Sequence, residues 1–240
     1  MFTNILHKSP GGVRHENKFA LSPGVYEILR NRMRAVMKQD EHATDGGGYR
    51  VTSLYFDDIY GTAYKDKLGG FLQRKKFRVR AYNLSPERIN LECKFKSGEF
   101  IRKKSALLTP DEYHALVNCN YDFCLKRQDS EVLKDFYFTA RTAGLKPAAI
   151  TDYYREAFTA EAGNVRITFD SNVSAGLGTF DMFKARYTPV KSEIVLEIKY
   201  DRFIPSYIQE LFSGFPLTAE PISKYILCAN QALEVNKACY

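Results

Sequence analysis

Two segments near the middle of this chain alternate charged and apolar residues at period two: Lys76-Phe77-Arg78-Val79-Arg80 and Leu91-Glu92-Cys93-Lys94-Phe95-Lys96. Successive side chains of a strand point to opposite faces, so this pattern commits both segments to a sheet with one basic face and one apolar face. Between Arg74 and Lys104 there are 11 Lys/Arg and only 3 Asp/Glu, a local net charge of +8. The whole chain carries +7, so the other residues are nearly neutral. The positive charge is concentrated, not spread for solubility. Like charges facing each other across strands are destabilising, and a face built this way calls for a polyanion.

The remaining pattern is that of an α+β protein. Strands are expected at about 13–19, 49–57, 74–82, 89–96, 99–107, 146–159, 165–171 and 193–200. Short turns such as Ser97-Gly98 imply antiparallel pairing. Helices are expected after Ser22-Pro23 to about Lys38, after Thr109-Pro110 to about Val117, from Ser130 to Ala143 before Gly144, from Pro205 to Phe212, and from Ser223 to Leu233. In the first of these, Val25, Ile28, Leu29, Met33, Val36 and Met37 follow helical spacing. Helices sit between or after groups of strands, which argues against alternating βαβ units. No linker divides the 240 residues, so one domain is expected, with its core at about 13–233.

Several function classes are excluded by composition. No run approaches the roughly 20 apolar residues of a membrane helix, and the first ten residues lack a secretory apolar stretch. Five scattered cysteines (93, 119, 124, 228 and 239) show no CxxC and no zinc spacing, which fits packing thiols in a reduced, cytoplasmic protein. There is no GxxxxGK[ST] loop and no GxGxxG before a helix. The four histidines suggest no triad. Nucleic acid is not expected as a partner. A single-strand binder stacks bases on aromatics set among its cations, whereas Phe77 falls on the face opposite Lys76, Arg78 and Arg80.

If the sheet closes into a barrel with its apolar face outward under the helices, the basic faces line a lumen and focus a positive potential inside low-dielectric walls. Three acids then stand out. Glu16, Glu92 and Glu197 each lie two residues before a lysine (Lys18, Lys94 and Lys199), on the same strand face. A carboxylate so placed either neutralises its lysine or holds a hard divalent cation beside phosphate oxygens. Lysines crowded in such a lumen have depressed pKa values that bound phosphate raises. Anions should therefore stabilise the fold strongly.

These segments also carry a family resemblance. In order along the chain they are Arg14-His15-Glu16-Asn17-Lys18-Phe19, Ser53-Leu54-Tyr55-Phe56-Asp57, Lys76-Phe77-Arg78-Val79-Arg80, Glu92-Cys93-Lys94, Tyr154-Arg155-Glu156-Ala157-Phe158, Val165-Arg166-Ile167-Thr168-Phe169-Asp170, Leu196-Glu197-Ile198-Lys199 and Ser223-Lys224-Tyr225. From about Arg14 to Ala232 the sequence resembles a VTC domain, the catalytic module of the vacuolar transporter chaperone complex, within the triphosphate tunnel metalloenzyme (CYTH-like) superfamily. The resemblance implies a closed eight-stranded antiparallel β-barrel. It implies a polyphosphate polymerase that moves the terminal phosphate of a nucleoside triphosphate, ATP, onto a polyphosphate chain with Mn²⁺ or Mg²⁺.

By match, Arg78, Arg80, Arg155, Arg166 and Lys224 are the catalytic cations. Lys18, Lys94 and Lys199 bind phosphate, and Arg102 and Lys104 join them because they share a face of the third basic strand. Glu197 is the metal carboxylate, with Glu16 as a second candidate. Two departures stand out. Arg14 occupies the place of the superfamily's first glutamate, which argues for synthesis over hydrolysis. Pro221 stands where eukaryotic relatives tend to have a second lysine. A triphosphatase of the same fold, a non-catalytic polyphosphate-binding module, and membrane association through a separate protein partner are the alternatives.

Overall fold

A computed structural model describes residues 14–44, 46–98, 100–127, 129–190 and 193–238. Val13 and Glu99, at the starts of two expected strands, and Cys239 lie outside the described residues. Ten strands form one sheet in which all the paired neighbours are antiparallel. They are β1 (His15–Leu21), β2 (Lys38–Gln39), β3 (Tyr49–Asp57), β4 (Gln73–Tyr82), β5 (Ile89–Ser97), β6 (Phe100–Leu108), β7 (Lys146–Ala160), β8 (Val165–Leu177), β9 (Arg186–Pro189) and β10 (Ile194–Tyr200). The path runs β1-β10-β8-β7-β3-β4-β5-β6, with β2 on β7 and β9 on β8.

The expectation of a closed eight-stranded barrel is not met. β1 and β6 end the sheet and do not pair with each other. A physical reason is visible at β1: the Lys18 carbonyl accepts a hydrogen bond from the Glu220 backbone N–H at 2.8 Å. The segment before the last helix thus occupies a group that a closing strand would need. The two ends of the sheet still approach through side chains, since Lys94 Nζ of β5 reaches Glu16 Oε2 of β1 at 3.3 Å. The sheet is curled and open.

Among the described residues seven α-helices flank it: α1 (Pro23–Val36), α2 (Thr62–Leu68), α3 (Pro110–Val117), α4 (Phe123–Lys126), α5 (Glu131–Ala143), α6 (Ser206–Gln209) and α7 (Lys224–Ala238). Their boundaries follow local chemistry. The Ser22 hydroxyl accepts from Val25 N–H with Pro23 next in line, and Thr109 with Glu112 forms a reciprocal capping box. Gly144 ends α5 at φ 68°, a left-handed conformation that glycine adopts without Cβ strain. Of the apolar positions expected to face the core from α1, Leu29 and Met33 are buried while Ile28 and Val36 stay exposed.

The alternation in the basic strands sorts side chains as expected. Phe77, Val79, Leu91 and Cys93 enter a core with Leu54, Phe56, Leu133 and Phe136. Phe136 of α5 is fully buried and meets Phe56, Phe77 and Tyr121 edge-on. Its truncation to alanine should cost about 3–5 kcal/mol. A second cluster joins α1 to β8 and β10 through Leu29, Met33, Ile167, Phe169 and Leu196. Helices therefore cover one face of the sheet, and the charged face is left to surround a cavity. Part of that inner face is packed by α7, whose Cys228 joins Val51, Tyr153, Val173 and Ala175.

Candidate functional site

The inner face encloses a cavity of about 350 Å³. Of the twelve residues given a catalytic, phosphate-binding or metal role from the sequence, nine line it: Glu16, Lys18, Arg78, Arg80, Lys94, Arg155, Glu197, Lys199 and Lys224. Segments 179 to 183 residues apart meet here because β1 pairs with β10, setting Lys18 opposite Glu197 and Glu16 opposite Lys199.

Three sequence-based assignments fall elsewhere. Arg102 and Lys104 share a face of β6, as expected, but it is the outer one. They sit opposite Phe95 and the buried Cys93, and Lys104 pairs with Glu131 of α5 at 2.5 Å. The inward residue is Lys103, whose Nζ lies 2.5 Å from Glu92 Oε1. Counting parity from the wrong residue of a one-residue choice exchanges the two faces. Arg166 is not among the lining residues, although it sits opposite Lys199; it pairs with Asp40 (2.6 Å) and donates to the Tyr49 hydroxyl at 3.0 Å. Arg14 is exposed, 3.8 Å from Asp201.

Within the cavity most cations are fixed by carboxylates. Asp170, fully buried, accepts Arg155 through both oxygens (2.6 and 2.8 Å) and pairs with Lys224 at 2.6 Å. Glu92 holds Arg78 at 2.7 Å and lies 4.0 Å from Arg80. Arg78 also donates to the Tyr55 hydroxyl at 3.0 Å, and Arg80 to Ser53 at 3.2 Å. These bonds leave planar guanidinium groups oriented before any ligand arrives. Lys18 bridges Glu16 (2.8 Å) and Glu197 (3.4 Å), and Lys199 pairs with Glu197. The same-strand pairs Glu16/Lys18 and Glu197/Lys199 form as the sequence suggests, whereas Glu92 turns to Arg78 and Lys103 rather than to Lys94.

The acids stay ionised. Burial would raise Glu16, but Lys18, Lys94 and Lys199 outweigh it and hold its carboxyl at about 2. Burial opposes the charge of Glu92 too, and Arg78, Arg80 and Lys103 bring it to about 2. Glu197 is held well below the usual carboxylate range against burial by Lys199, Lys18 and Arg155. The bases divide. Lys18 is raised despite burial by Glu197 and Glu16. Lys199 is lowered by burial, with Arg155 adding repulsion that Glu197 only partly offsets. Lys76 falls to about 7 through burial and the charges of Lys67 and Arg74.

Lys76 was not singled out as a site residue, nor were Lys67, Arg74, Lys96, Tyr55, Tyr153 and Tyr225, which also line the cavity. For Lys76, Arg74 and Lys96 the signal was present, since they share strand parity with Arg78 and Lys94. Lys67 was not legible, because α2 carries no strand pattern.

No cluster of three His, Cys, Asp or Glu side chains suited to a metal exists among the described residues. Glu16 and Glu197 nevertheless supply ionised oxygen donors, the type a hard cation such as Mg²⁺ or Mn²⁺ prefers, and the two lie close enough to share Lys18. Such a cation would complete its shell with water and phosphate.

The VTC domain family model matches residues 13–233. The chain belongs to the VTC domain family. A candidate adenylate cyclase from Bacillus halodurans shares the fold at 12% identity and a TM-score of 0.54, covering 90% of this chain and 96% of that one. A second candidate adenylate cyclase, from Vibrio parahaemolyticus, aligns at 13% identity with a TM-score of 0.47 over 89% and 96% of the two chains. A search of curated proteins finds no match. At 12% identity the likeness to the Bacillus halodurans structure is one of fold. No helix among the described residues is long and apolar enough to cross a membrane.

Proposed function

We propose that this VTC-family protein is a polyphosphate polymerase that transfers the γ-phosphate of ATP onto the end of an inorganic polyphosphate chain. The observation that supports this reading is the union, in one cavity, of pre-oriented arginines, lysines and two ionised carboxylates. A triphosphate carries charge on every phosphorus, and this lining offers donors to match it. Arg78, Arg80 and Arg155 neutralise charge on the transferred phosphoryl group. Lys18, Lys94, Lys199 and Lys224 hold the flanking phosphates.

The acceptor chain's terminal phosphate oxygen attacks the γ-phosphorus. The bond from that phosphorus to the β–γ bridging oxygen breaks, ADP leaves with the electron pair, and the chain grows by one phosphate. Positioning and electrostatics suffice for such a transfer, so no protein nucleophile is required. Glu197 and Glu16 would hold Mn²⁺ or Mg²⁺, which supplies charge neutralisation across the phosphates when bound.

The test is incubation of purified protein with ATP and Mn²⁺, followed by gel analysis for long phosphate chains. Polymer formation is expected. Orthophosphate without polymer would replace this reading with a triphosphatase, and intact ATP across metals and primers would leave a polyphosphate-binding module, with or without a separate membrane-protein partner.

A further inference from the structure

Two roles fall on the same atoms of the cavity wall: carboxylate oxygens for a hard cation, and ammonium groups for phosphate. β1 and β10 set them out as a checkerboard, with Glu16 opposite Lys199 and Lys18 opposite Glu197. All four side chains line the cavity. Each of the four carboxylate oxygens already has an ammonium partner. Lys18 Nζ lies 2.8 Å from Glu16 Oε1 and 3.4 Å from Glu197 Oε2. Lys94 Nζ, from β5, lies 3.3 Å from Glu16 Oε2. Lys199 Nζ pairs with Glu197 Oε1. Among the described residues Lys18 is the one cation within ion-pair distance of both acids. Its ammonium therefore fills the position that the two carboxylates share.

A dication entering here has to take an oxygen from an ammonium. An ammonium displaced in this way, left without a partner beside a dication on a largely buried wall, is strongly unfavourable. Lysine is suited to changing partner, because its ammonium is a compact charge on a flexible stem. The Arg155 guanidinium is not, since Asp170 holds it through two bonds. We propose that Lys18 is a resident counter-cation: it holds Glu16 and Glu197 in the empty protein and yields them to Mn²⁺ or Mg²⁺ when an oxyanion arrives to take its ammonium. Metal and anion are then coupled ligands, each raising the affinity for the other by the same factor. The exchange keeps the two carboxylates from loading metal before the anion is in place. This inference rests on the assignment of Glu16 and Glu197 as metal ligands in the polymerase reading.

The readout is the electron paramagnetic resonance signal of free Mn²⁺, titrated with protein in chloride and in sulfate at equal ionic strength. Protein-free solutions calibrate the pairing of Mn²⁺ with sulfate. Wild type should bind Mn²⁺ weakly in chloride and about tenfold or more tightly in sulfate, a factor within the usual range of coupling between two ligands. Lys18→Met should bind in chloride about tenfold or more tightly than wild type, and sulfate should add less than about threefold to it. Lys18→Arg keeps the charge and should stay as weak as wild type in chloride. Adding Glu197→Gln to Lys18→Met should abolish the gain. Equal wild-type affinity in chloride and sulfate overturns the proposal, and that comparison needs no variant. A Lys18→Met protein that is folded by far-UV circular dichroism and binds no more tightly than wild type in chloride overturns it as well. Polymer synthesis from ATP with no effect of sulfate on Mn²⁺ overturns this inference alone. Both effects without any polymer keep it and overturn the polymerase reading.

Discussion

Around Asp170, Glu197 and Glu92, the cations of the cavity lean on buried carboxylates, whereas Lys67, Arg74, Lys76 and Lys96 face one another with little relief. Both groups line the same cavity, mostly from strands, with Lys67 of α2 and Lys224 of α7 the exceptions. In the first, folding has already neutralised the charge, so geometry is fixed and a ligand finds oriented donors. In the second, the charge is left open, and the empty protein bears repulsion that an incoming anion can relieve. The contrast separates two tasks that a basic composition alone merges: orienting a reacting phosphate and attracting a chain.

The sharpest way to break this contrast is to remove an acid from the paired group. Asp170→Ala leaves Arg155 and Lys224 without their counterion in a site where the aspartate is fully buried. Breaking a buried pair from one side should cost about 3–5 kcal/mol, read by chemical denaturation. A loss below about 1 kcal/mol would mean that water already screens these charges. Glu197→Gln tests chemistry rather than folding. Polymer formation should drop by about 10²-fold or more, while tripolyphosphate still stabilises the protein in a thermal melt. Loss of both together would make Glu197 structural.

Acid should act on the paired group alone. Glu16 and Glu92 have folded-state values near 2 against an ordinary 4.5, so they bind fewer protons folded than unfolded between those values. Their stabilisation is present above about pH 4.5 and is lost as pH falls toward 2. Lys76 behaves in the opposite sense. Its folded value near 7 lies below the ordinary 10.5, so the unfolded chain holds more protons across that window. The empty protein should therefore gain stability as pH rises from about 7 to 10.5, and Lys76→Met should flatten that rise. At pH 7 the same variant should melt higher than wild type by roughly 2–4 °C, the shift about 1 kcal/mol produces at this chain length. Saturating tripolyphosphate should reverse the order, because it binds wild type better.

Much of this arrangement was readable from residue order, and the failures have physical causes. Period-two alternation set Phe77 and Val79 in the core and Arg78 and Arg80 in the cavity, because a strand leaves no other choice. Caps at Ser22, Thr109 and Gly144 fixed helix ends through local bonds. Barrel closure was not local. It depended on whether β6 or the chain near Glu220 would meet the edge of β1, and strand patterning carries no information about that competition. Partner choice was equally hidden. Glu92 chose Arg78 and Lys103 over Lys94, and Asp170 gathered Arg155 and Lys224 from distant segments. Arg166 matched the family pattern in sequence, and its partner Asp40 is a residue no motif marked.

The smallest expected effect concerns β6, where consecutive lysines face opposite ways. Lys104 points outward to Glu131 on an exposed surface, where ion pairs contribute little and salt screens them. Lys104→Ala should leave tripolyphosphate affinity within about twofold of wild type. Lys103 touches Glu92, which in turn holds Arg78. Removing its charge frees one Glu92 oxygen and loosens the carboxylate that orients Arg78, so Lys103→Ala should weaken binding more than Lys104→Ala does. The difference is small because Lys103 is half exposed, with 51% of its side chain open to solvent, and water can replace it. Paired calorimetric titrations at low and high salt decide the matter. An equal loss in both variants would mean that β6 contributes only long-range charge, and a larger loss for Lys104 would reverse the facing of the strand.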